Sequence, residues 1–168
     1  TGGASFLGDP EKKTLEMYAA EINEKGGIGG KKIELVIYDD AGDANQARTF
    51  GTRLIEQDKV DALLAGSTTA STMAIIPLAE EAGIPLINFA GAVQAVYPVK
   101  RWNFKTPHTD LMACEKIFED MKKRGLAKVA MISGAAGRSK ASLRTAIAAT
   151  AAYPGPALRR EPDVRGRR

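Results

Sequence analysis

Residues 60–92 constrain the fold most, because they contain a strand, a loop, a helix and a second strand in direct succession. The apolar run at 61–65 is typical of a buried parallel strand. Apolar residues at helical spacing over 73–82 predict a helix that covers a sheet, and Gly83 predicts its end. A second apolar run follows at 84–88. This succession predicts a parallel α/β sheet with right-handed crossovers.

Small and hydroxyl-bearing residues fill the two loops that follow these strands. The first loop, 66–72, carries five hydroxyls and leads into a helix, and the second loop is 89–92. Parallel strands end at one edge of the sheet, where such folds bind ligands, and helix N-termini favour anions. One interpretation is therefore a cradle for a small carboxylate. The other is ordinary helix capping by Ser and Thr.

Cysteine and histidine are too scarce for most metal and catalytic clusters. The 168 residues include one Cys and one His, which excludes an internal disulfide and a multi-cysteine metal site. The chain has no GxGxxG motif and no run of 18 apolar residues. We therefore expect no cofactor, no metal, no catalytic residues and no membrane span.

The positive charge is confined to the end of the chain. Residues 134–168 have 8 Lys and Arg against 2 Asp and Glu, which gives +6, whereas 1–133 have 16 against 18, which gives −2. The net charge of +4 is therefore no sign that the body of the protein binds nucleic acid.

Alternating strands and helices are also predicted on both sides of the central stretch. Asp9 and Pro10 predict the start of a first helix, with 1–8 as a loop, and Asp43 predicts the start of a second. Further predicted elements are strands at 33–38, 102–106 and 128–133 and a helix at 111–124.

Two acids follow the predicted strand at 33–38. Asp39 and Asp40 could hold a metal, as in a small phosphoacceptor domain or an α/β enzyme, or they could cap the turn that follows. A phosphoacceptor domain also needs a matching acceptor and lysine at strand ends, where Ser67 and Asn88 stand instead. Capping is the favoured interpretation.

Five segments share their order and spacing with one protein family: GASFLGDPEKKTLEMYAAEIN, GGIGGKKIELVIYDDAGDANQA, LLAGSTTAST, EEAGIPLINFAGA and FKTPHTD. Through them, residues 1–134 resemble the N-terminal part of a type I periplasmic solute-binding protein of ABC transporters, of the leucine/isoleucine/valine-binding kind. The resemblance implies a Rossmann-like parallel sheet flanked by helices, in a non-enzymatic protein with two lobes around a cleft. It implies extracytoplasmic capture of a small carboxylate and delivery to a membrane permease.

The resemblance also implies a division of the chain. Residues 1–106 would form the first lobe without its first strand and its returning segment, and 107–134 would begin the second lobe. Residues 135–168 form a basic Ala-, Arg- and Pro-rich tail that we expect to be partly disordered, either native or an out-of-frame continuation. Open sheet edges would then favour self-association, and the chain alone would bind its solute weakly.

The family's ligand-binding positions can be carried over to the first loop. Thr69 matches the hydroxyl that receives the ligand carboxylate, and Ala70 and Ser71 lie beside it. A ligand-sensing module of a larger receptor would share the same fold and the same loop.

Other implied ligand-binding positions lie in the second loop and near the start of the chain. Ala90 and its neighbour Gly91 match the backbone that meets the ligand head group. Ala92 stands where amino-acid binders often have Thr, and Leu7, with Phe6 beside it, stands where an aromatic often lines the pocket. A branched-chain amino acid and an organic or aromatic acid therefore both remain open as ligands.

Overall fold

Within residues 1–126, the part of the chain that the computed structural model describes, three short parallel strands form one sheet. The strands are β1 (Leu63–Leu64), β2 (Leu86–Asn88) and β3 (Asn103–Lys105), in the order β1-β2-β3. Leu63 pairs with Leu86 and Leu86 pairs with Asn103. All strands therefore end at the same edge, which confirms the predicted parallel α/β, Rossmann-like sheet.

Helices precede, connect and flank the strands. Four helices are described: α1 (Ser5–Glu24), α2 (Ala44–Glu56), α3 (Thr69–Ala82) and α4 (Asp110–Lys123), and a short 3-10 turn covers Val93–Ala95. Helix α2 packs on α3, where Gly51 lets the two helices approach closely: a methyl group there would lie 3.1 Å from Leu78 Cδ1. The core between α2, α3 and the sheet is apolar and includes Leu63, Ile75, Ile76, Ala79 and Leu86.

Local capping explains where α2 begins and where α3 begins and ends. Asp43 accepts hydrogen bonds from the amides of Asn45 and Gln46 at 2.9 Å, as its predicted role as helix start requires. Helix α3 starts four residues earlier than its apolar period indicated, because Thr68 caps it. Gly83 ends it with φ of 68°, in the left-handed conformation that glycine favours.

The predicted start of α1 is wrong. The helix begins at Ser5 and not at Asp9, so the expected loop at 1–8 contains its first turn. Pro10 lies inside the helix and donates no amide hydrogen bond. Asp9 binds Lys13 one turn later, with 2.7 Å between Oδ2 and Nζ, and caps nothing.

The predicted strand at 33–38 is also wrong. A strand needs a hydrogen-bonded neighbour, and no strand in residues 1–126 pairs with this segment. Side chains hold its ends instead: the Asn23 amide exchanges two hydrogen bonds with the backbone of Ile33, at 2.6 and 2.8 Å. Tyr38 stacks on Phe50 with 5.1 Å between ring centroids.

The chain divides into two units, Thr1–Thr109 and Asp110–Arg168. All three strands belong to the first unit, and the described part of the second is α4 and the residues up to 126. Helix α4 matches the predicted helix at 111–124, whereas the predicted strand at 128–133 and the tail at 135–168 lie outside the described residues. None of the helices in 1–126 combines the length and apolarity that crossing a bilayer requires.

Candidate functional site

The first loop is organised by three internal hydrogen bonds of its own side chains. Thr68 Oγ1 accepts from the Ser71 amide at 3.2 Å, which makes Thr68 the cap of α3. The buried Thr72 hydroxyl donates to the Gly66 carbonyl at 2.7 Å. Helix capping, one of the two interpretations of this loop, therefore accounts for Thr68. Ser71 is almost completely buried, and its hydroxyl oxygen accepts a hydrogen bond from the Thr68 hydroxyl.

Thr69 and Ala70 supply polar groups that this capping leaves available. They are the first two residues of α3, where backbone amides have no intrahelical acceptor. Thr69 is half-buried, and its hydroxyl makes no hydrogen bond to any residue in the described part of the chain. Two amides and one hydroxyl at a helix N-terminus can bind one carboxylate through its oxygens.

The carboxyl ends of β1 and β2 bring the two predicted loops together. The Ala65 amide donates to the Ile87 carbonyl at 3.1 Å, one residue before the first loop begins and two residues before the second. The first turn of α1 also passes close by, since a methyl group on Gly8 would lie 3.7 Å from Ser67 Oγ. The structure therefore places the first loop, the second loop and the start of α1 at one edge of the sheet.

Phe6 and Leu7, the predicted pocket-lining residues, lie in the first turn of α1. Phe6 is 68% exposed and Leu7 is half-buried. Their role in lining a pocket stays a prediction.

Glu11 is a charged neighbour of the first loop that the sequence did not reveal. Ser67 Oγ donates a hydrogen bond to Glu11 Oε2. Burial raises the pKa of Glu11 above its usual value of 4.5, and the bond from Ser67 partly offsets that rise. The two residues are 56 positions apart, so no local pattern could have indicated the pair.

Replacing Glu11 with Gln is expected to stabilise the protein at neutral pH only. A raised folded-state pKa means that the fold favours the protonated carboxyl; this stabilisation is complete below pH 4.5 and is lost as the pH rises through the folded pKa. Glutamine resembles the protonated form and still accepts from Ser67. Thermal unfolding should give the variant the higher Tm at about pH 7 and no difference near pH 4.

Glu24→Gln serves as the matched control for Glu11→Gln. Glu24 is the exposed last residue of the same helix. Its replacement should leave the pH dependence of Tm as in the original protein. A Tm for Glu11→Gln that stays below the original value at neutral pH would contradict the burial argument.

The second loop lies more deeply in the protein than the first. Ala90 and Ala92 are 2% and 1% exposed, and Gly91 is half-buried. The Ala90 amide donates to Asn88 Oδ1 at 3.3 Å, and its carbonyl accepts from Lys105 Nζ. The chain itself therefore uses both polar groups of Ala90, the predicted head-group position.

A buried pair of amides joins the second loop to the sheet. Asn88 Nδ2 donates to Asn103 Oδ1 at 2.9 Å and to the Phe104 carbonyl at 2.8 Å, and Asn103 Nδ2 donates to the Ala95 carbonyl. Asn88 has no exposed surface. This network fixes the loop relative to β3 and was not predicted as part of the site.

The paired acids Asp39 and Asp40 act as turn residues. Asp39 Oδ1 accepts from the Ala41 amide at 2.8 Å, and Asp40 Oδ1 accepts from the Gly42 amide at 2.9 Å. Among the described residues, no three His, Cys, Asp or Glu side chains gather in a way that could hold a metal ion. The favoured capping interpretation of these acids is confirmed.

Comparison with known proteins agrees with the parallel fold. A family model described as periplasmic binding protein matches residues 1–164. An amino acid binding protein of Pseudomonas aeruginosa is 37% identical over 84 residues, which are 50% of this chain and 22% of that protein. The Leu/Ile/Val-binding protein of Escherichia coli K12 is 33% identical over 87 residues, 52% of this chain and 23% of that protein.

Two solved structures with bound ligands resemble the chain over most of its length. One is the branched-chain amino acid transporter substrate binding protein LivJ of Streptococcus pneumoniae with isoleucine, at a TM-score of 0.81, 27% identity and 92% coverage of this chain. The other is an ABC transporter solute binding protein of Rhodopseudomonas palustris with 3,4-dihydroxy benzoic acid, at a TM-score of 0.80, 26% identity and 92% coverage of this chain.

The chain spans less than half of these structures, 44% and 42% of their lengths, and less than a quarter of the curated relatives. The family match nevertheless extends over almost the whole chain, and the parallel sheet agrees with it. The chain therefore belongs to the periplasmic binding protein family.

Proposed function

We propose that the chain is part of an extracytoplasmic solute-binding component of an ABC importer that captures a small carboxylate. One observation supports this above the others: the half-buried Thr69 hydroxyl lies with the first amides of α3 at the carboxyl edge of a parallel sheet. The same edge carries the second loop. Binding and not catalysis is the proposed role, and a membrane permease is the proposed partner.

The ligand class extends from branched-chain amino acids to aromatic acids. The solved relatives carry isoleucine in one case and 3,4-dihydroxy benzoic acid in the other. Both molecules have a carboxylate, and the Thr69 hydroxyl with the amides of α3 suits that shared group. These two compounds are therefore the probes of choice.

Removal of the Thr69 hydroxyl should weaken carboxylate binding by about 1.5–3 kcal/mol, the usual worth of a hydrogen bond to a charged group. This corresponds to a Kd about 10- to 150-fold higher. The measurement is a titration of the isotope-labelled chain by NMR with isoleucine and with 3,4-dihydroxybenzoate. Because the chain spans less than half of the solved relatives, the titration should reach about 20 mM, a range that detects millimolar affinity.

Two control variants separate the Thr69 hydroxyl from general effects. Thr69→Ser keeps a hydroxyl at the site and should bind nearly as the original protein does. Thr49→Ala removes an exposed hydroxyl from α2, where it bonds the Asn45 carbonyl at 3.0 Å, and should change nothing at the site. If Thr69→Ala and the original chain bound the ligand with equal affinity, the Thr69 hydroxyl would take no part in carboxylate binding.

A further inference from the structure

Residues 32–40 form an uninterrupted segment whose backbone is largely unpaired. No helix, turn or bend occurs in it, and none of its residues has a positive φ. Within residues 1–126, the backbone amides and carbonyls of 34–38 make no hydrogen bond. The side chains of Val36 and Ile37 are 38% and 44% exposed and add apolar surface beside these groups. Such a combination is what a further strand needs in order to pair with a segment.

The hydrogen bonds of Ile33 decide which side of this segment is open. The Asn23 side chain accepts from the Ile33 amide at 2.6 Å and donates to the Ile33 carbonyl at 2.8 Å, so both backbone groups of Ile33 point toward α1. Backbone groups alternate from side to side along an extended chain. The open edge therefore consists of the backbone groups of Glu34, Val36 and Tyr38, which point away from Asn23.

The two ends of the segment carry opposite charges. Lys31 and Lys32 stand at its start, and Asp39 and Asp40 stand at its end. Both lysines are exposed, and neither has an ion-pair partner within residues 1–126. Two copies of the segment that run in opposite directions would therefore bring basic ends against acidic ends.

Asp40 is the more available of the two acids. It accepts from the Gly42 amide at 2.9 Å through Oδ1, and Oδ2 makes no hydrogen bond in the described part of the chain. Asp39 binds the Ala41 amide through Oδ1 and the amino group of Thr1 through Oδ2. The charge of Asp40 therefore decides how two such segments align.

We propose that residues 32–40 are an interface at which a second copy of this chain adds an antiparallel strand. Two-fold symmetry presents the same surface on both copies, and Val36 lies at the axis, opposite the same residue of the other copy. Glu34 then pairs with Tyr38, and Lys32 faces Asp40 at both ends. The open edges supply about six backbone hydrogen bonds.

Charge selects this register over its neighbours. A slide of the strands in one direction sets Lys32 against Tyr38, and a slide in the other direction sets Glu34 against Asp40, which repel each other. In the proposed register Glu34 is about as far from Lys32 of its own strand as from Asp40 of the other strand, so its charge has little net effect. The interface uses none of the residues assigned to carboxylate binding.

Sedimentation velocity of the full chain should show a monomer–dimer equilibrium between about 5 and 500 μM. Lys32→Glu should raise the dimer Kd at least about tenfold, because it turns two attractions into repulsions. Asp40→Lys should do the same. An equal mixture of the two variants should recover the dimer, since every reversed charge then faces its opposite.

Lys59→Glu is the matched control for Lys32→Glu. Lys59 is also exposed and lies outside the segment, in the turn after α2. The variant changes the net charge by the same amount and should leave the dimer Kd unchanged. An equal effect of both variants would overturn the proposal, because it would show that net charge and not the segment controls association.

Cysteine cross-linking tests the register without changing a charge. In a Cys114→Ser background, Val36→Cys places two thiols opposite each other with Cβ atoms about 5 Å apart, so mild oxidation should link most dimers. Glu34→Cys is the control, since Glu34 is exposed and its two copies would lie about 13 Å apart along the strands. This variant should cross-link far less.

Three results would overturn the proposal. They are a chain that stays monomeric up to about 500 μM, a dimer whose Kd Lys32→Glu does not change, and a mixture of folded variants that fails to recover the dimer. If Asp40→Lys does not fold, the cross-linking pattern decides in place of the mixture. Equal cross-linking of Val36→Cys and Glu34→Cys would then overturn the proposal.

Discussion

The Gly66→Ala variant is expected to lose about 3 kcal/mol or more of folding free energy. Gly66 has φ of 87°, which disfavours any other residue, and an added Cβ would lie 2.1 Å from Thr72 Oγ1 and 2.7 Å from Thr72 Cα. Thr72 cannot move away easily, since it is fully buried in α3 and donates to the Gly66 carbonyl. The clash therefore has to displace the first loop itself.

Urea unfolding at equilibrium measures this loss, and two glycines provide controls. Gly3 has open space around it and an ordinary φ, so Gly3→Ala should be nearly neutral. Gly29 has φ of 58° but no atom within 4 Å of the added Cβ, so Gly29→Ala isolates the backbone cost of about 1 kcal/mol. If the urea midpoint of Gly66→Ala equalled that of Gly29→Ala, the first loop would be able to rearrange around the added Cβ at no further cost.

The central stretch was predictable because its signals are local. An apolar strand, a glycine stop and a capping hydroxyl each act within a few residues, and 60–92 folds as those signals indicate. Asp43 is another local signal, and α2 begins directly after it. The parallel order of the strands follows from the alternation of strands and helices along the chain.

The errors arose where a local signal did not decide the structure. Asp9 and Pro10 form a common helix start, yet α1 begins four residues earlier, with Pro10 in its interior. The segment 33–38 has the composition of a strand, but a strand exists only when a partner pairs with it. Sequence composition cannot supply that partner.

The charged and amide groups around the site were not predictable for a related reason. Glu11 is hydrogen-bonded to Ser67, which lies 56 positions away in the sequence, and Lys105 is hydrogen-bonded to Ala90, which lies 15 positions away. Such pairs arise from how the elements pack, and no spacing rule connects them. The loops could therefore be assigned to one edge from the sequence, whereas these long-range hydrogen bonds beside the loops required the structure.

Asn88→Ala is expected to cost about 3–4 kcal/mol of folding free energy, because it breaks a buried hydrogen-bond network. The change removes the donor to Asn103 Oδ1 and to the Phe104 carbonyl and the acceptor of the Ala90 amide. Asn88 and Asn103 are both buried, so water cannot replace these bonds without opening the sheet. Urea unfolding measures the cost, and the exposed Asn45→Ala on α2 is the control that should remain within about 0.5 kcal/mol.

A double-mutant cycle separates the lost hydrogen bonds from the lost packing. Once Asn88 is replaced, the Asn103 amide has no partner at Oδ1 and contributes a desolvation penalty. Replacing Asn103 as well removes that penalty, so Asn88→Ala with Asn103→Ala should cost less than the sum of the two single changes, by about 1–2 kcal/mol. Additive costs would mean that the two amides stabilise the sheet independently, and that the second loop is held to β3 by packing and by Lys105 instead.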